Sequence, residues 1–123
     1  MQLAANLLVA FVALEHLGFL ILEMFLWTKP AGLRVFGLTP EFAEQSASLA
    51  ANQGLYNGFL FAGLAWALMR GREGFQLKVF FLGCVCVAGI FGALTASGSI
   101  LFVQALPGAV ALTLAALSER ARA

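Results

Sequence analysis

The stretch that decides the fold is LAANLLVAFVALEHLGFLILEMFLW, Leu3 to Trp27. It is interrupted only by Asn6, Glu15, His16 and Glu23. A membrane-spanning helix needs about 20 mostly apolar residues, and this run supplies them. A secretory signal is the alternative for such a segment. Met1-Gln2 offers no basic leader, however, and the apolar run is too long for a signal core, so we read it as a retained span. Thr28-Lys29-Pro30 stops it, because proline disfavours helix in the residue before it.

Three further spans follow, giving four at about 3–27, 50–69, 75–95 and 100–117. Arg70-Gly71-Arg72 closes the second, and Ser118-Glu119-Arg120 the fourth. In the connection from Lys29 to Leu49, Thr39 suits an N-cap, Pro40 the first helical position and Glu41 the positive end of the dipole. This predicts a short interfacial helix starting at Pro40 that can run on into the second span. The expected fold is therefore all-α: one domain over residues 1–123, a four-transmembrane-helix antiparallel bundle with a short interfacial helix between its first two helices.

Composition agrees. Of 123 residues, 62% are hydrophobic and 11% charged, and the mean hydropathy is +0.94; a soluble domain of this length needs more polar surface. The net charge of +1 gives no electrostatic footprint for nucleic acid. Twelve Phe and thirteen Gly fit lipid-facing bulk and close helix contacts. Cys84 and Cys86, two positions apart on a helix, point to different faces and read as small apolar residues. Arg70, Arg72, Lys78, Arg120 and Arg122 fall on the side of both termini, against Lys29 and Arg34 opposite. The positive-inside rule then predicts a multi-pass protein with both termini cytoplasmic.

The polar residues inside the spans carry the functional argument. A charge at mid-bilayer costs at least ~2.5 kcal/mol, so such residues usually face a bundle interior or a wet cavity. At about 100° per residue, His16 and Glu23 share a face, and Glu15 lies about 100° round from His16 and about 80° from Glu23, so one broad face holds all three. In the second span Asn52, Gln53, Tyr56 and Asn57 form a polar arc of about 140°. Gly54, Gly58, Ala62 and Ala65 form a small-residue stripe suited to helix packing. Gln104 precedes Pro107, which frees a backbone carbonyl one turn earlier. These depths predict a polar pocket open to the extracytoplasmic side, with Glu15 and His16 at its floor.

Glu15-His16, Glu23-Met24-Phe25-Leu26-Trp27, Phe36-Gly37-Leu38-Thr39-Pro40-Glu41-Phe42 and Ala51-Asn52-Gln53-Gly54-Leu55-Tyr56-Asn57-Gly58 together resemble the bacterial family DUF1304, over essentially the whole chain. The resemblance implies a small multi-pass membrane protein and brings no established activity. A looser likeness, of architecture only, is to four-helix membrane proteins of the DoxX type, which would imply redox or small-molecule chemistry.

The functional expectation is an intramembrane site that binds, and transforms by acid/base chemistry, a small mostly apolar molecule. His16 would be the general acid/base, oriented by Glu23 or Glu15. Asn52, Gln53, Tyr56, Asn57 and Gln104 would hold the polar end of the ligand. A divalent metal on His16, Glu23 and Glu15 is an option, although the spacing is neither Glu-x-x-His nor His-Glu-x-x-His. The alternatives are a proton-coupled transporter of a small solute, which would require a homodimer, and a structural or assembly subunit in which these side chains only join helices. Against the transporter, the third and fourth spans read as free of acid and base, with no internal symmetry.

Overall fold

The computed structural model describes residues 1–121 and is all-helical. The helices are α1 (Gln2–Met24), α2 (Pro30–Phe36), α3 (Pro40–Met69), α4 (Phe75–Thr95) and α5 (Leu106–Arg120), with a π-helical turn at Leu101–Ala105 leading into α5. Among the described residues three segments are long and apolar enough to cross a membrane: Gln2–Met24, Phe75–Thr95 and Leu101–Arg120. The expected count of four is not reproduced. At 30 residues α3 is the longest helix, but Asn52, Gln53 and Asn57 dilute its apolar half.

The short helix between the first two long ones lies at Pro30–Phe36 rather than at Pro40. Pro30 occupies the first turn, where its missing N–H costs nothing and its fixed φ suits the helix. Gly37 ends α2 with φ 64°, the left-handed conformation that glycine adopts without strain. Its N–H and that of Leu38 both reach Leu33 O, the latter at 2.9 Å. The start expected at Thr39-Pro40 is present, with the Phe42 N–H donating to Thr39 Oγ1 at 3.3 Å, but it opens the continuous α3. The first span is shorter than 3–27, ending at Met24.

The chain forms two compact units, Leu14–Phe61 and the remainder, Met1–Ala13 with the chain from Ala62. In the latter, the terminal unit, Val9, Val12, Leu64, Ala67, Leu82, Val85 and Ala111 are fully buried. Gly89 lets α4 approach the π turn: a Cβ there would lie 2.7 Å from Ala105 N and 2.9 Å from its Cα. The π turn has a local cause. Pro107 has no N–H and its ring would crowd the carbonyl four residues back, so the chain widens and Leu106 N–H bonds Leu101 O.

In the middle unit, Leu14–Phe61, α1 and α3 touch through small residues. A Cβ on Gly54 would meet Met24 Cγ at 2.7 Å and Glu23 Cβ at 3.1 Å; one on Gly58 would meet Leu20 Cδ1 at 2.7 Å. The Gly54–Gly58 part of the small-residue stripe therefore packs on another helix. Beyond it, Trp27 Nε1 donates to Ser46 Oγ at 3.0 Å, and the Trp27 ring packs on Phe36 at 4.8 Å, tying α2 and the turn before it to α3.

Candidate intramembrane polar site

Residues Ala5, Val9, Val12 and His16 repeat at helical spacing along α1 and are buried together on one stripe. Glu23 continues the same stripe two turns beyond His16. The sequence thus places an imidazole and a carboxylate where a core helix normally carries aliphatic side chains.

Each has a definite setting. His16 is fully buried, and its ring lies edge-on to Phe19, with centroids 5.5 Å apart. Half-buried Glu23 accepts a hydrogen bond on Oε2 from Asn57 Nδ2 at 2.7 Å. This bond joins α1 to α3, and the carboxylate raises its strength over that of a neutral pair. Half-buried Glu15 has a different character: its Oε2 is shut off from solvent and has no hydrogen-bond partner among the described residues. Few native structures keep such an atom without a reason.

The arc on α3 divides. Asn57 is buried at 7% exposure, whereas Asn52, Gln53 and Tyr56 are exposed. The angular reading explains this: Asn57 lies about 60° from Gly54, on the edge of the contact face, while the others turn further away. Gln104 belongs to the terminal unit, half-buried in the π turn. Among the described residues no three His, Cys, Asp or Glu side chains are gathered so as to hold a metal ion. Glu15, His16 and Glu23 are consecutive features of one helix, and one helix face spreads its side chains along the axis rather than around a point.

One ionisable residue was misplaced by sequence reasoning. Lys78, counted there among the interfacial basic residues, is 4% exposed and bonded to Asn6 within the terminal unit. It lies inside the segment Phe75–Thr95, so the third span does hold a base. The signal was available, since an ionisable residue one turn inside an apolar run is unlike a loop lysine.

The family model of DUF1304, described as a protein of unknown function, matches residues 10–116. The chain belongs to the DUF1304 family. The uncharacterized protein YpaA of Lactococcus lactis subsp. lactis (strain IL1403) is 29% identical over 106 residues, which cover 85% of this chain and 89% of YpaA. No solved structure matches the chain. The family model covers residues 10–116, short of the whole chain over which the resemblance was drawn, and the DoxX likeness, of architecture only, is not carried further.

Proposed function

We propose that this DUF1304 protein uses Glu15, His16 and Glu23 of α1, with Asn57 of α3, to bind the polar end of a small, mostly apolar molecule within the membrane. In this reading α3 is a fourth span, and the site opens to the extracytoplasmic side of a bacterial inner membrane. The observation that carries the proposal is the buried, unpartnered Oε2 of Glu15. A structural clamp between helices would satisfy its polar atoms, as Glu23 and Asn57 do at 2.7 Å. An unsatisfied buried carboxylate oxygen costs about 1–3 kcal/mol or more, a cost that a bound hydroxyl or amide would remove.

His16 is the proton-exchanging group of this reading, since an imidazole alone among side chains changes charge near neutral pH without large perturbation. Asn57 fixes Glu23, so that its second oxygen stays available to a ligand. Asn52, Gln53 and Tyr56 are exposed on α3, where hydrocarbon cannot satisfy them. They favour a homodimer in which a second copy or the ligand covers that face.

The test compares small molecules extracted from detergent-purified wild type with those from Glu15→Gln, Glu23→Gln and His16→Ala, by mass spectrometry. Folded variants that have lost a molecule carried by the wild type are the expected result. Identical extracts from all four proteins, with melting temperatures lowered in the variants, would mean that these residues only hold helices together.

A further inference from the structure

A second polar cluster lies in the terminal unit, where α1 and α4 begin and α5 ends. Ser118 Oγ donates to Gln2 Oε1 at 2.8 Å, and Gln2 Nε2 donates to Asn6 Oδ1 at 3.4 Å. Lys78 Nζ donates to the same Asn6 oxygen at 2.8 Å. Gln2, Asn6, Arg72, Lys78 and Glu119 line a cleft beside this network.

Among the described residues the charged side chains that line the cleft are Lys78, Arg72 and Glu119. Arg70 spends its charge on Glu73 within the loop. Arg72 has neither ion pair nor hydrogen bond among the described residues. The loop carrying it is fixed. Gly71 turns at φ 57°, and Gly74 presses so close to Ala67 O that a Cβ would lie 2.0 Å from it. Lys78 stands in the first turn of α4, where the helix dipole favours an anion over a cation. A nine-tenths-buried ammonium at that position strengthens the local positive potential.

Position supplies the ligand class. The apolar segments Gln2–Met24, Phe75–Thr95 and Leu101–Arg120 all have an end at this cleft. Such ends lie at the depth of lipid headgroups, where basic residues meet anionic lipid. We propose that the cleft binds a phosphate group through Lys78 and Arg72, as the phosphodiester of an anionic phospholipid or as free phosphate. Gln2 and Asn6 hold the ammonium in place, and Arg72 closes over the phosphate from the loop. The site uses none of the residues of the α1–α3 proposal, so either can fail alone.

The experiment uses the full-length protein in a neutral detergent, titrated with phosphatidylglycerol, phosphatidylcholine or inorganic phosphate and followed by native mass spectrometry and thermal unfolding. Phosphatidylglycerol is expected to bind in preference to phosphatidylcholine. Arg72→Gln, at an exposed position, should leave the unliganded melting temperature unchanged and weaken phosphatidylglycerol binding about tenfold, the loss expected for one charge-assisted contact. Lys78→Gln should weaken it further. Displacement of the lipid by millimolar inorganic phosphate would identify free phosphate as the ligand; resistance to it would assign the lipid. Equal binding of the two lipids with no effect of phosphate, or an Arg72→Gln variant that binds like the wild type, would overturn the proposal and leave the cluster as a clamp between helix ends.

Discussion

At the scale of single residues, a polar group inside an apolar helix is judged by what meets it. Glu23 is met by Asn57 at 2.7 Å, so the two should fall together. Asn57→Leu strands the carboxylate and is expected to cost about 1–3 kcal/mol or more, read as a lower melting temperature in detergent. Glu23→Gln keeps an acceptor oxygen facing Asn57 and should melt near the wild type. The double variant Glu23→Leu with Asn57→Leu should recover much of the loss, because replacing both partners by apolar groups can be close to neutral. A double variant as unstable as the sum of its parts would show that each residue acts through other neighbours. The presence of Glu15, His16 and Glu23 on one broad face of α1 was legible from sequence, since 3.6-residue periodicity alone fixes it. That Asn57, out of four candidate side chains on α3, is the one that reaches Glu23 was not, because its place on the edge of the contact face depends on how α3 is rotated against α1.

At the scale of helices, close contact is set by missing Cβ atoms, and four glycines make separable predictions. In Gly89→Ala the new methyl would meet backbone atoms of Ala105 at 2.7–2.9 Å. Backbone cannot swing aside, so a loss of about 1–3 kcal/mol is expected from overpacking. Gly83, on the same helix, has nothing within 4 Å of such a methyl, and Gly83→Ala should gain up to about 1 kcal/mol of helix propensity. On α3, Gly54→Ala meets Met24 N at 3.2 Å besides two side-chain atoms, whereas Gly58→Ala meets only the movable end of Leu20. Gly54→Ala should therefore destabilise more than Gly58→Ala, and thermal unfolding of the four variants under one condition checks both orderings. Equal melting temperatures within either pair would mean that these contacts do not limit packing. The π turn shows how far an element can be read from its residues. Pro107 announced the break in helical bonding that widens the chain there, but that Ala105 of this turn lies against Gly89 of α4 was not legible in the residues.

At the scale of the whole molecule, the basic residues bear on the topology. If α3 also spans, Arg70, Arg72 and Arg120 fall on the side of both termini and Lys29 and Arg34 on the other, which predicts a cytoplasmic C-terminus. A fluorescent reporter fused there should be bright and an alkaline-phosphatase fusion inactive; the reverse pattern would show that the chain crosses an odd number of times or is inverted. The sequence by itself determined that the fold is all-α, that three of the four segments read as spans have the length and apolarity to cross a bilayer, and that Thr39-Pro40 begins a helix. These are local matters of hydropathy, periodicity and capping, which each segment settles alone. Tertiary structure decided the rest. It turned Lys78 from a loop charge into a buried partner of Asn6 and separated Asn57 from Asn52, Gln53 and Tyr56, whereas the short helix at Pro30–Phe36 is set locally by Pro30 and Gly37. The physical reason is common to the first two: burial and pairing depend on which atoms of distant residues arrive nearby, and the spacing of residues along one helix carries no record of its neighbours.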